Sequence, residues 1–353
     1  MKPVVSYCFI CILCLSLLGC CGRNADGILG EKEAEQLTGE IICDSVPLGA
    51  PQSITLIGRT LYVVDKHDGC LMTAIPIDNP ANYSRIVRVG NGPGEYMRLS
   101  GISVREDGRR IVLNDDMKRV LVSYAPSDPM FDPGSMVGDL SYRGNENLYA
   151  VLPLGDGLLA AGCFEENMFS CFDAEMKTVS HFGAWPGDRS GIGSQEFMMR
   201  NQSVLAMDPS ETHFVAAGMF SDWIAFYDRE EDGFRLRKEY FFGDADMEVI
   251  SHKAGGTTAY SVQENDRTVR TYRALYAGKQ DAYALYWGVR SKVLDEPGQV
   301  SHIIQFSYDG AVKAIYRVDG LIRSFAVDEQ GKVIYALTFS RTEAEHLMKL
   351  TVK

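Results

Sequence analysis

Four oxygen-bearing side chains occupy comparable places in this sequence: Asp65, Asn114, Asp115 and Glu165 each follow a short apolar run and open a polar turn. Carboxylate and amide oxygens brought together from separate segments can hold a hard divalent cation. Asp and Asn also favour strand ends because their side chains bond nearby backbone amides, so a structural role explains the same pattern. His67 shares the loop of Asp65. Residues 90–96, Gly-Asn-Gly-Pro-Gly-Glu-Tyr, make a glycine-rich loop that either approaches a ligand or forms a tight connection with Tyr96 packed inward. No helix pattern follows it, so its amides gain no helix-terminus support for phosphate. The six His form no H-x-H or H-E-x-x-H pair and no G-x-S-x-G elbow occurs, so no catalytic residue is assigned.

A second reactive group is the thiol of Cys20. Met1-Lys2 gives a positive start, and residues 4–18 form an apolar run of about 15 residues, too short to span roughly 30 Å of hydrocarbon but of signal-peptide length. The run ends in Leu17-Leu18-Gly19-Cys20, which resembles the lipobox of bacterial lipoproteins. That resemblance implies a signal peptide over 1–19, a diacylated Cys20 and a polar tether over 20–38. The mature chain is then anchored through its N-terminal lipid in the cell envelope, with the outer membrane as the expected site.

The charge balance narrows the partners. Lys and Arg number 35 against 47 Asp and Glu, a net charge of -12, so no basic footprint exists to neutralise nucleic-acid phosphates. A mean hydropathy of -0.10 excludes a polytopic membrane protein. Of the cysteines beyond the tether, Cys43, Cys70, Cys163 and Cys171 form no C-x-x-C pair, which leaves thiolate zinc without support. Cys163 and Cys171 flank a short turn. An oxidising compartment can join them if they face each other, and a buried free thiol is the alternative.

These side chains must be positioned by strands. Asp-Gly turns recur at 68, 107, 156, 232, 309 and 319 beside β-rich runs, a strong hairpin signal. Helical periodicity is confined to 30–37. Aligning the hairpins on Ile54, Ile102, Val151, Val204, Tyr272 and Ile322 gives steps of 48, 49, 53, 68 and 50 residues. This period predicts four-stranded blades, six in number, and so an all-β six-bladed β-propeller over 39–353. The last unit is about one strand short. Residues 39–47 are strand-like and are expected to pair with the C-terminal strand, closing the ring.

The long fourth step carries an insertion between 243 and 270. Long loops on a rigid scaffold are commonly functional. It is expected to fold over the loop-rich face and bring His252, Tyr260 and Arg267 near a ligand.

Residues 86–96, Ile-Val-Arg-Val-Gly-Asn-Gly-Pro-Gly-Glu-Tyr, resemble the signature of six-bladed β-propeller lipoproteins of Bacteroidetes type, with TolB-like and NHL-like relatives. A decayed copy runs through Phe182-Gly183-Ala184-Trp185-Pro186-Gly187 to Glu196-Phe197. The resemblance implies fold and location, and no agreed activity. Two functions follow as expectations. The first is a non-catalytic module that binds a small molecule, a glycan or a protein, with no cofactor. The second is a metal-dependent hydrolase or lyase similar to propeller lactonases, with a divalent cation near Asp65, Asn114, Asp115 and Glu165.

Overall fold

A computed structural model describes residues 27–352, apart from 44–45, 128, 145–147, 165, 255–256 and 342–343. Cys20 and Glu165 lie outside the described residues. The turns fold the chain into six blades of four antiparallel strands, and the sheet of one blade is extended by a fifth strand. Blade 1 comprises Pro51–Ile57, Thr60–His67, Cys70–Pro76 and Ser84–Arg88. Blade 2 is Leu99–Arg105, Arg110–Asp115, Val120–Tyr124 and Met136–Ser141. Leu148–Leu154, Gly157–Phe164, Asn167–Phe172 and Thr178–Ala184 form blade 3. Blade 4 contains Ser203–Met207, His213–Gly218, Asp222–Glu230 and Gly233–Gly243. Blade 5 uses Val269–Ala277, Asp281–Arg290, Val300–Ser307 and Val312–Asp319. In blade 6, Ile322–Asp328, Val333–Thr338 and Leu347–Thr351 are completed by the N-terminal Gly39–Cys43. The first strand of each blade lines the centre of the ring.

Each seam between adjacent blades holds its own apolar cluster. Val64 and Met72 of blade 1 meet Leu113 and Tyr124 of blade 2, and Leu61 and Val63 meet Ala326 and Leu337 of blade 6. A middle strand is therefore covered on both faces, which explains why Leu61, Tyr62, Val63 and Val64 are buried without alternation. Burying such a side chain contributes about 1.5–3 kcal/mol.

The ring closes as the sequence predicts, with Gly39 opposite Leu350 and Ile41 opposite Met348 in an antiparallel pair. The preceding segment departs from expectation. The stretch read as helical is a 3-10 turn, Gly27–Glu31, followed by a strand, Ala34–Leu37, that runs parallel to the outer strand of blade 5. Ala, Glu, Gln and Leu favour a helix locally, but the open edge of Val312–Asp319 offers unpaired backbone groups that outweigh that preference. Ile28 and Leu37 are buried, so the part of 20–38 from Gly27 onward belongs to the folded body.

Two elements stand on the connections between blades. Ser194–Arg200 is a short helix between blades 3 and 4, and a hairpin of Glu248–Ala254 with Thr257–Gln263 fills the insertion between blades 4 and 5. The hairpin touches the helix. At the opposite end of the strands, the guanidinium of Arg105 in blade 2 pairs with Glu211 in blade 4, past the intervening blade 3. Cys163 and Cys171 are free thiols. Cys171 lies opposite Leu159 in the sheet, not opposite Cys163. Among the described residues no helix is long and apolar enough to cross a membrane.

Candidate functional site

Asp65 lies two residues before the end of the second strand of blade 1, Asp115 ends that of blade 2, and both are fully buried. Asp65 Oδ1 accepts the amides of Gly49 and Ala50 at 2.9 and 2.7 Å, and its Oδ2 accepts from Arg85 Nη1 at 2.8 Å and the Thr73 hydroxyl at 3.3 Å. Asp115 takes the amides of Met97, Arg98, Met117 and Lys118 at 2.7, 3.3, 3.2 and 2.9 Å. Asp65 thus ties the connection entering blade 1 to its third and fourth strands, and Asp115 ties the connection entering blade 2 to the following turn. Their lone pairs are spent on backbone donors and an arginine, the structural use open to Asp at strand ends.

Other expected residues are placed as follows. Asn114 Oδ1 accepts the Tyr142 hydroxyl at 2.8 Å. His67 Nε2 is 3.2 Å from Asp68. The Tyr96 side chain is buried between blades 1 and 2, its hydroxyl bonded to that of Tyr124 and its own pKa raised by burial. Glu95 Oε2 accepts the Gly92 amide at 2.9 Å, and a Cβ on Gly90 would fall 2.0 Å from that carboxylate, so the loop is filled from within. Phe197, in the decayed copy, is buried with its ring 5.7 Å from Trp185. On the hairpin, His252 Nε2 is 3.2 Å from the Ser261 hydroxyl and Tyr260 is exposed, and in the connections flanking it Arg267 pairs with Asp246 at 2.9 Å. No hydrogen bond or ion pair among the described residues joins this group to Asp65, Asn114 or Asp115. Nor do three His, Cys, Asp or Glu side chains there come close enough to share a metal ion.

A different constellation forms where the inner strands of blades 5 and 6 meet. Arg270 is held by Glu264 through two bonds, 3.1 and 2.6 Å long. Arg323 is likewise held by Glu345, Nε lying 3.0 Å from Oε1. Between them in charge, Arg273 has neither hydrogen bond nor ion pair among the described residues, and its Nη1 is sealed from solvent without a partner. Its guanidinium lies 5.0 Å over the Trp287 ring, Trp287 is 5.0 Å from Phe339, and Arg323 covers Phe339 at 4.8 Å. The Trp287 indole is fixed by donation to the Ile322 carbonyl at 2.7 Å. Burial, then the charge of Arg270, pushes the Arg273 guanidinium down to about 10, with Arg323 adding to the effect. It remains a cation at neutral pH.

The spacing Arg267-x-x-Arg270-x-x-Arg273 was the available signal for this cluster, but an ordinary strand alternates faces every residue. Irregularities between Arg270 and Tyr272, and between Tyr272 and Ala274, break that alternation.

One further acid, half-buried, lies at the seam of blades 4 and 5. Asp222 Oδ2 accepts the Tyr286 hydroxyl at 3.2 Å, beside Tyr272, while Oδ1 has no partner. Burial raises its carboxyl to about 6 against the pull of those hydroxyls. Gly27 lies directly over it, where a Cβ would stand 3.2 Å from Oδ2.

These blades define the molecule as a six-bladed β-propeller. A family model described as a six-bladed β-propeller matches residues 43–129, which hold blade 1 and the first three strands of blade 2. Among solved structures, a Bacteroides fragilis protein described as exported is similar at 12% identity and TM-score 0.51, covering 93% of this chain and 97% of its own. A member of the DUF4221 family from Bacteroides vulgatus is similar at 11% identity and TM-score 0.54, covering 91% of this chain and 98% of its own. At these identities the likeness is one of fold. No curated protein matches the sequence.

Proposed function

We propose that this propeller is a lipid-anchored cell-envelope protein that binds a ligand or partner without transforming it. The anchor rests on Leu17-Leu18-Gly19-Cys20 and the apolar run before it. The binding reading rests on one observation: at the blade 5–6 seam a stacked arginine, Arg273, has no carboxylate hydrogen-bonded to it among the described residues, while Arg270 and Arg323 each have one. Arginine recognises anions and planar groups and does not ligate cations. The metal-dependent alternative gains no such support, because the Asp65 and Asp115 carboxylates are already saturated.

Two measurements test this. Lipid labelling of Cys20→Ser cells should lose the labelled band and release the protein from washed membranes; retention there overturns the anchor. Envelope extract incubated with the purified chain should return its bound small molecules chemically unchanged by mass spectrometry, and a converted product overturns the non-catalytic reading.

A further inference from the structure

Three guanidiniums and two carboxylates make up the cluster at the inner strands of blades 5 and 6, which leaves one positive charge unbalanced. A charge drawn partly out of water without a partner is penalised, and the neighbouring arginines show how this fold offsets that cost when it can. Glu264 embraces Arg270 and Glu345 embraces Arg323, yet no described side chain does the same for Arg273. From the geometry we infer that this position takes the carboxylate group of a small-molecule ligand, with Arg273 as its partner. The inference deepens the binding reading above and rests on it.

The chemistry of the cluster selects the anion. A single carboxylate brings the local sum to zero. A phosphate or sulfate dianion adds a second negative charge beside Glu264 and Glu345, where like charges repel through a poorly screened interior. Arg273 is also set in advance. One face of its guanidinium is held over Trp287, whose ring is fixed in turn by its bond to the Ile322 carbonyl, while Nε and Nη2, which unlike Nη1 are not sealed and make no hydrogen bond among the described residues, remain to donate. Little freedom is lost when the ligand arrives. The charge-assisted bond so formed is among the stronger ones available to a neutral-pH site.

A carboxylate of this kind ends either a sugar acid or a peptide, and the two sources are separable. Calorimetry on the full mature chain uses glucuronate for the first, N-acetylalanine for the second, and inorganic phosphate and sulfate as the competing anions. One or both carboxylates should bind with a single site, and more tightly than either dianion. Arg273→Gln should weaken that binding about 10- to 100-fold, the loss expected for one hydrogen bond to a charged group. If Arg273→Gln does not fold, the wild type decides: its melting temperature should rise more in glucuronate or N-acetylalanine than in sodium phosphate of equal ionic strength. Absence of carboxylate binding, preference for phosphate, or unchanged affinity in Arg273→Gln overturns the inference. A ligand bound equally by wild type and Arg273→Gln would do so while leaving the binding reading intact, whereas turnover of a bound ligand would remove that reading itself.

Discussion

Arg105 and Glu211 are ion-paired although they belong to blades 2 and 4, with blade 3 between them. Arg105 ends an inner strand, and its Nη2 also donates to the Gly155 carbonyl at 2.9 Å, while Glu211 Oε2 accepts the Gly155 amide at 2.8 Å. The first turns of three successive blades are thereby locked together. Removing the acid leaves a largely buried guanidinium uncompensated, which usually costs about 3–5 kcal/mol. Glu211→Ala should lower the urea midpoint accordingly. A midpoint within error of wild type would show that the lock contributes nothing.

Asp65 offers a test of structural against metal-binding carboxylates. Asp65→Ala strips acceptors from Gly49, Ala50, Thr73 and Arg85 at once, so a loss of about 2–4 kcal/mol is expected. Elemental analysis of wild type and variant should show equal divalent metal content. Calcium or zinc present in wild type and lost from the variant would revive the oxygen-ligand reading.

Asp222 sets a pH dependence of definite sign. Its folded carboxyl titrates near 6 against 3.8 for the free side chain, so the folded state binds this proton more tightly than the unfolded one. The contribution is favourable below about pH 4 and is lost as pH rises through 6. Asp222→Asn removes it. Relative to the variant, wild type should lose up to about 3 kcal/mol between pH 4 and pH 7, from a shift of roughly two units. Denaturation curves at the two pH values measure this, and a difference that does not change with pH would contradict the assigned burial.

Ring closure and the N-terminal segment can be separated by deletion. Removing 39–43 strips the outer strand from blade 6, which should cause aggregation or a large fall in melting temperature. Ile28→Ala tests the 3-10 turn instead, and its fully buried side chain predicts a loss of about 2–5 kcal/mol. A wild-type melting curve for Ile28→Ala would mean that residues 27–31 do not pack in solution.

The blades were legible because Asp-Gly turns and apolar pairs recur at a nearly constant spacing, and because the short last unit demanded a strand from elsewhere. The strand Ala34–Leu37 was hidden for the opposite reason. Its residues favour helix, and only the edge of blade 5, 281 positions away in the chain, decides otherwise. At the site, the turn positions of Asp65 and Asp115 could be read, but their saturation by distant amides could not. Arg323 lies 50 residues beyond Arg273, and nothing local relates them until blades 5 and 6 are set side by side.

The early entry of the chain into the body at Gly27 has a consequence for how the propeller would stand on a bilayer. With a lipid on Cys20, only residues 21–26 separate the membrane from the groove between blades 4 and 5, a reach of about 20 Å at full extension. The segment from Gly27 follows the outer rim, along blade 4 and then the edge strand of blade 5. With that anchor the disc would be moored by its rim, the seam of blades 4 and 5 nearest the lipid and blades 1 and 2 farthest from it. Held this way, the two faces of the ring would stand across the membrane plane and open sideways into the envelope.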